Sequence, residues 1–408
     1  MELLENLKQR GFINQVTDLV ALQEKFLNSK VVFYVGYDGT ANSLHIGNLV
    51  TIMALRHLQK AGHKPIVLVG GGTTRIGDPS GKNKTRLVLA ETEIDSNALA
   101  IKKQLSKYLD FSEGKAILVN NADWLLNLNY ITFLRDIGTH FSVNRMITSE
   151  TYKARLDNEE NLSFIEFNYQ ILQAYDFYIL NEKYGCTLQL GGSDQWGNIV
   201  AGIDLTRRLN SKQTYGITFP LVTNADGSKM GKSVSGAIWL DAEKLSPYEF
   251  YQYWINIDDR DVKKFLYLFT ELEMEEIEKL AQLEGADIRK AKQVLAFEAT
   301  KITHGIENAN SAVKQSEVFG GSQENAPELV VPNEMFSNSE VSLIEVLFFA
   351  GFHPSKSEAR RLITQGGARA GGQKIQDVDF KIKKTDISNG NYLVQSGKKK
   401  IVKLTIAN

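Results

Sequence analysis

The sequence predicts an α/β fold, a doubly wound, Rossmann-like parallel sheet domain followed by an all-α domain and a small α+β domain. Three observations carry this. Strand-like runs at Val31 to Val35, Pro65 to Gly70, Ala116 to Val119, Thr187 to Leu190 and Thr218 to Val222 alternate with longer helical stretches, the pattern of a parallel sheet covered on both faces. From Ser246 to about Glu317 the chain reads as mostly helical, with Glu271, Glu273, Glu275 and Glu276 expected on solvated faces. A polar stretch holding Pro327 and Pro332 then reads as a linker before a basic C-terminal unit. The expected boundaries are 1–222 for the sheet domain, 223–245 for a loop region, 246–319 for the helical domain, 320–338 for the linker and 339–408 for the last domain.

Composition bounds the function without choosing it. At 408 residues and 43% hydrophobic, the chain can bury a large core spread over two or three domains. A net charge of -1 excludes no class of partner, because basic groups can gather on one face. The single cysteine, Cys186, cannot form an internal disulfide and reads as an inert core residue. Six scattered histidines lack the spacing of a structural metal site, so no protein metal site is expected. Met1 to Arg10 is charged rather than signal-like, and no run of 18 apolar residues occurs, so a cytoplasmic address without a membrane is expected.

Two short clusters carry chemistry. His45-Ile46-Gly47-Asn48 follows the first strand-like run and opens a helical stretch from Leu44 to Lys60, with Ser43 expected as its N-cap. A helix start after a strand is an anion site, and Gly47 lets a ligand approach the backbone. Lys229-Met230-Gly231-Lys232-Ser233 follows the last strand-like run and the turn-like Asn224-Ala225-Asp226-Gly227. Lysines on such a loop suit neutralisation of a departing pyrophosphate. Either cluster alone is matched as well by a polar first turn or a solvated basic loop. Placed together at the carboxyl edge of one sheet, with Gly70-Gly71-Gly72 and Gly191-Gly192, they indicate a single ATP site and adenylate formation.

A third pattern lies on the helix expected from Ser163 to Asn181. Tyr169, Gln173 and Asp176 fall at i, i+4 and i+7 and form one polar stripe, while Phe167, Ile171, Leu172 and Ile179 supply apolar cover. A face turned to water would give a similar pattern. The stripe is short and flanked by aromatics, which suits a pocket for a small polar, aromatic ligand.

These motifs resemble class I aminoacyl-tRNA synthetases, the first cluster being similar to the HIGH motif and the second to the KMSKS motif. The closer resemblance is to bacterial tyrosyl-tRNA synthetases, through Tyr34-Val35-Gly36-Tyr37-Asp38, Gly77-Asp78-Pro79-Ser80, the Tyr169 to Asp176 helix and Gly191-Gly192-Ser193-Asp194-Gln195-Trp196-Gly197-Asn198. It covers essentially the whole chain. The resemblance implies a tyrosine:tRNA ligase that forms tyrosyl-adenylate from ATP and tyrosine and passes the tyrosyl group to tRNA(Tyr). Asp176 and Tyr34 are then expected to bind the phenol hydroxyl, and Tyr169, Gln173 and Asp78 the α-ammonium group. Asp38 is expected beside the amino-acid site and Gln195 near the reacting carboxylate. The implied catalytic set is His45, Asn48, Lys82, Arg86, Lys229 and Lys232. Asn48, Thr51, Gly192 and Asp194 are expected to face the ribose, with Gly36, Thr40, Gly47 and Ser233 completing the ATP-binding set. Mg2+ is implied as a companion of ATP, without a protein cage.

The C-terminal unit resembles the S-four type of RNA-binding domain, with Lys356, Arg360 and Arg361 on a helix before Gly366-Gly367-Ala368-Arg369-Ala370-Gly371-Gly372. That implies an RNA contact through Lys356, Arg360, Arg361 and Arg369. The family also implies an anticodon-recognition role for 246–319 and a homodimer made through an insertion at about 124–162. Departures are Asn48 in place of the final histidine of HIGH, Gly39 where proline is common, and Gly231 in place of the central serine of KMSKS. The rival readings are a tryptophanyl-tRNA synthetase, against which Tyr34 with Asp176 favours a phenol, and a non-catalytic RNA-binding protein on the same scaffold, against which His45, Lys229 and Lys232 speak.

Overall fold

Runs rich in Val, Ile and Leu, buried on both faces, build the central sheet. Its strands are β1 (Gln15–Val16), β2 (Val32–Tyr37), β3 (Lys64–Val69), β4 (Ile117–Asn120), β5 (Leu188–Gly192) and β6 (Tyr215–Phe219), in the order β1-β6-β5-β2-β3-β4. The computed structural model describes residues 2–79, 90–228, 230–233, 236–320, 326–388, 392–397 and 400–406. From β6 to β4 all neighbours are parallel, with Tyr34 opposite Ile66 on one side and Gln189 on the other. Strand order reverses between β2 and β5, which creates the crevice where ligands of such sheets sit.

Alternation along β2 sends Tyr34 to one face and Phe33 and Val35 to the other. On the first face Tyr34, Ile66 and Leu68 pack with Phe177 and Leu180 of the helix Phe164–Tyr184 and with Cys186. The helix Ile46–Lys60 packs against β3 and β5 and buries Leu49, Ile52, Met53 and Leu55. Helix Trp196–Asn210 lies along Phe164–Tyr184 and reaches β6 at Gly216, where an added Cβ would stand 2.3 Å from Ile199 Cγ2.

The helical stretch is observed as Pro247–Ile255, Val262–Phe269, Met274–Ala281, Ile288–His304 and Ile306–Gly320. The chain divides into two compact units, 1–305 and 306–408. In the second unit β11 (Ala368–Ala370), β12 (Gln373–Ile375), β14 (Tyr392–Ser396), β15 (Lys400–Ile406) and β9 (Glu328–Val331) form a five-stranded sheet over Val341, Leu343, Leu347 and Ile363. The remaining pairs are β7 (Lys232–Ser233) with β8 (Gly236–Ala237), in the first unit, and β10 (Glu340–Ser342) with β13 (Lys381–Lys383).

Several sequence expectations are corrected here. The final strand runs over Tyr215–Phe219 rather than Thr218 to Val222, because Pro220 has no N–H to continue the ladder. β1 pairs antiparallel with β6, so the sheet is not purely parallel, and two residues are too short a run to show in the pattern. The N-cap of Ile46–Lys60 is His45, not Ser43, whose hydroxyl donates to Leu44 O instead. The expected linker contributes Glu328–Val331 as an edge strand, an apolar run bracketed by Pro327 and Pro332. Glu271 is not on a solvated face but is paired with Arg56 and Lys60.

The approach of Ile199 to Gly216 gives a stability test. Gly216→Ala is expected to lower stability by about 1–3 kcal/mol through overpacking, read as a lower denaturation midpoint of the first unit. An unchanged midpoint would mean that the helix can move away at no cost.

Candidate active site

The carboxyl ends of β2, β3 and β5 open into a cavity of about 370 Å³. Tyr34, Gly36, Asp38, Thr40, His45, Asn48, Thr51, Asp78, Tyr169, Gln173, Asp176, Gly192, Asp194 and Gln195 all line it. The polar stripe of Phe164–Tyr184 therefore faces this cavity rather than water. Lys82, Arg86 and Lys229 lie outside the described residues, as do the side chains of Lys232 and Ser233.

At the deep end, Asp176 is 2% exposed. Its Oδ1 accepts from Trp124 Nε1 at 2.8 Å and its Oδ2 from Asn121 Nδ2 at 2.9 Å. Burial is the dominant influence and raises the carboxyl from 3.8 to about 7, against the lowering effect of those two donors. Tyr34 is equally buried, and its hydroxyl has no hydrogen-bond partner among the described residues. Burial first, and then the Asp176 charge, push its phenol well above 10. A carboxylate held by two donors beside an unpartnered phenol suits a ligand that brings its own hydroxyl.

Gln195 organises the middle. Its Nε2 donates to Asp78 Oδ2 at 2.9 Å and Asp194 Oδ2 at 3.1 Å, while its Oε1 accepts from Gln173 Nε2 at 3.2 Å and Asn198 Nδ2 at 3.1 Å. Asn198 Nδ2 also reaches Gln173 Oε1 at 3.1 Å. Tyr169 is raised by burial and then by Asp38, Asp78 and Asp176. Among the described lining residues the ionisable side chains, tyrosines apart, are these three aspartates, Asp194 and His45, so this part of the cavity favours a cationic ligand group.

The mouth is formed by the first turn of Ile46–Lys60. His45 Nδ1 accepts from Gly47 N at 3.0 Å and Asn48 Oδ1 accepts from His45 N at 3.1 Å, a reciprocal cap. With Nδ1 accepting, the ring proton sits on Nε2 as a donor. Thr51 Oγ1 donates to Asn48 O and meets the Tyr37 hydroxyl at 3.1 Å. The second cluster reaches the same turn. An added Cβ on Gly231, which has a φ of +96°, would stand 3.1 Å from Ile46 Cγ2 and 3.4 Å from Gly47 N. A serine there would be both strained and crowded, which explains that departure. Gly39 donates its N–H to Thr74 Oγ1 at 3.0 Å, a bond a proline could not make.

Asn121, Trp124, Thr73 and Trp239 also line or support the cavity and were missed by sequence reasoning. Asn121 follows the Ala116 to Val119 run, so the sheet-edge rule applied to that strand would have found it. Trp239 carries no such signal, because a backbone bridge to His45 brings it in. Lys356, Arg360, Arg361 and Arg369 lie in the second unit, all exposed, on Lys356–Thr364 and β11. Lys356 is ion-paired with Glu345 at 3.0 Å.

A family profile described as tRNA synthetases class I (W and Y) matches residues 26–319, and one described as the tyrosine–tRNA ligase SYY-like C-terminal domain matches residues 326–404. A tyrosine–tRNA ligase of Caldanaerobacter subterraneus subsp. tengcongensis is 50% identical over 409 residues, covering 100% of each chain. One of Clostridium botulinum is 51% identical over 404 residues, covering 98% of each. Among solved structures, a C-terminally truncated mitochondrial tyrosyl-tRNA synthetase of Aspergillus nidulans superposes with a TM-score of 0.70 at 30% identity, covering 78% of this chain and 93% of that one.

Asp176 gives a pH test with a definite sign. Its folded value lies above the unfolded one, so the folded state holds the extra proton between about pH 4 and 7 and loses stability as pH rises through that window. In ligand-free protein, the parent's urea midpoint is expected to fall more steeply over this range than that of Asp176→Asn. Parallel profiles would show that the carboxyl titrates near its ordinary value.

Proposed function

The chain belongs to the class I tRNA synthetases, in their tyrosine–tRNA ligase branch, and from that premise we propose that this cavity activates L-tyrosine with ATP and then charges tRNA(Tyr). The observation that carries the specificity is the buried Asp176 carboxylate beside the unpartnered Tyr34 hydroxyl. A phenol hydroxyl donates to the first and accepts from the second. Phenylalanine would leave the Tyr34 hydroxyl unsatisfied and forgo the added donor to Asp176, at about 1–3 kcal/mol in all. Tryptophan would bring a larger ring and a donor only.

The ammonium group sits among Tyr169, Gln173 and Asp78, with Asp38 nearby, where the acidic lining favours it. Gln195, fixed on both sides by hydrogen bonds, is placed beside the tyrosine carboxylate. A carboxylate oxygen attacks the α-phosphorus of ATP in line, forming the O–P bond as the bond to pyrophosphate breaks. The terminal ribose hydroxyl of tRNA then attacks the tyrosyl carbonyl and releases AMP. No side-chain nucleophile is needed, so positioning and charge stabilisation supply the rate.

His45, through Nε2–H, and the cations Lys82, Arg86, Lys229 and Lys232 serve the phosphates. Asn48, Thr51, Gly192 and Asp194 face the ribose, and Gly36, Thr40, Gly47 and Ser233 complete the ATP-binding set. Asn48 keeps the capping acceptor that a histidine nitrogen would provide, so its effect falls on ATP contact rather than on the helix start. Among the described residues no group of three His, Cys, Asp or Glu side chains could hold a metal, and Mg2+ enters as the partner of the ATP phosphates.

Anticodon recognition falls to residues 246–319, and RNA contact to Lys356, Arg360, Arg361 and Arg369 in the second unit. No helix among the described residues is long and apolar enough to cross a membrane, and a cytoplasmic address goes with a reaction that consumes ATP and tRNA. The segment 124–162 and the residues just after it expose Leu126, Tyr130, Ile131, Val143, Leu156, Phe164 and Ile165, an apolar set that supports a homodimer.

Tyrosine-dependent exchange of labelled pyrophosphate into ATP is expected, dependent on added Mg2+. No exchange above background would refute the activity, and faster exchange with tryptophan would refute the specificity. Asp176→Ala is expected to reduce discrimination between tyrosine and phenylalanine by roughly 5–150-fold, the equivalent of about 1–3 kcal/mol. Light scattering at micromolar concentration is expected to give twice the 45.7 kDa chain mass, and a monomer mass there would remove the dimer.

A further inference from the structure

One half of the cavity's mouth, and the far end of the helix whose first turn forms the other half, are tied to opposite ends of one helix that lines neither. Val262–Phe269 follows the buried Asp261 and ends just before Glu271. At its start, Asp261 Oδ2 accepts from Ala225 N at 2.8 Å, and Lys264 Nζ bridges Asp261 Oδ1 at 2.6 Å and Thr223 O at 2.7 Å. Thr223 and Ala225 form the base of the segment that leads into Met230 and Gly231. That base is internally braced, with Asn224 N donating to Ser228 O and Met230 N to Val222 O. Gly231 in turn packs on the first turn of Ile46–Lys60.

At the other end, Glu271 accepts from Arg56 Nε at 2.6 Å and pairs with Lys60 at 2.7 Å, both in the last turns of Ile46–Lys60. Arg56 also donates to Tyr108 O at 2.7 Å. The intervening helix is about 12 Å long and packed into the core. Val262, Phe265, Leu266, Leu268 and Phe269 are buried, and Trp254 packs on Phe265 and Phe269.

We propose that Val262–Phe269 is a strut that holds the base of the Gly231 loop at a fixed distance from the C-terminal end of Ile46–Lys60, and through that helix from the His45 turn, with Asp261 and Glu271 as positioning residues for adenylate formation. The proposal rests on reading the site as adenylate-forming. Neither residue lines the cavity, so neither is a catalytic residue. Asp261 is the more informative, because its contact is to a main-chain N–H at the loop base and leaves the amino-acid pocket untouched. Loosening that contact changes where the loop rests against the helix start. It does not change what holds tyrosine.

The test compares full-length parent, Asp261→Ala, Asp261→Asn and Lys264→Met in tyrosine-dependent pyrophosphate exchange and in equilibrium tyrosine binding. Asp261→Ala is expected to lower kcat or raise KM for ATP by about 10–100-fold, the scale of a small misplacement of reacting groups, with tyrosine Kd within twofold. Asp261→Asn keeps an acceptor for Ala225 N and is expected to recover most of the loss, and Lys264→Met to show a smaller loss of the same kind. Unchanged exchange in Asp261→Ala, or equal losses of tyrosine binding and exchange, would overturn the proposal, the second by making Asp261 a merely structural residue. If Asp261→Ala does not fold, Lys264→Met decides by the same two criteria. A parent without tyrosine-dependent exchange would refute the activity itself, an outcome distinct from these.

Discussion

Two main-chain hydrogen bonds hold the site together: Ile46 N to Ile238 O at 2.8 Å and Leu240 N to Leu44 O at 3.0 Å. They join the start of the helix Ile46–Lys60 to the segment 238–240 just after β8, far apart in the chain. Trp239 is thereby set against His45, with ring centroids 6.4 Å apart. Backbone pairing is the suitable device for this, since it fixes register without using the side chains that the chemistry needs. It adds to the packing of Gly231 on the first turn of that helix in bringing the two sequence clusters together.

The deep end of the cavity is organised differently. It relies on buried polar side chains whose partners come from other elements, Asp176 from a long helix, Asn121 from the residue just after β4 and Trp124 from the short helix Ala122–Leu125. Asn121 is itself braced by Gly72 N at 2.8 Å and Thr73 Oγ1 at 2.9 Å, so the glycine turn after β3 supports the pocket floor. Burial makes each of these contacts matter, because an unpaired polar atom there has no water to turn to.

Much of this was legible in the sequence, and the failures have physical causes. Strands buried on both faces announce themselves as apolar runs, which is why β2 to β5 fall close to where they were expected. The polar stripe of Tyr169, Gln173 and Asp176 was readable because helix geometry is local. Trp239 and Arg56–Glu271 were not, since both depend on pairings between distant segments. His45 as a cap was hidden because imidazole is an uncommon N-cap, and Ser43 stood two residues upstream as the more ordinary choice.

The carboxylate at the pocket floor has a consequence for any attempt to redirect the site to another amino acid. Asp176 is the acceptor for two buried donors that belong to a different part of the chain. Replacing it with an apolar residue would leave the indole N–H of Trp124 and one N–H of the Asn121 amide without their acceptor. A new side-chain preference therefore cannot be written at one codon. On the proposed reading of the pocket it requires coordinated change on the long helix and on the segment after β4, so substrate choice is held by the neighbours of Asp176 as much as by Asp176 itself.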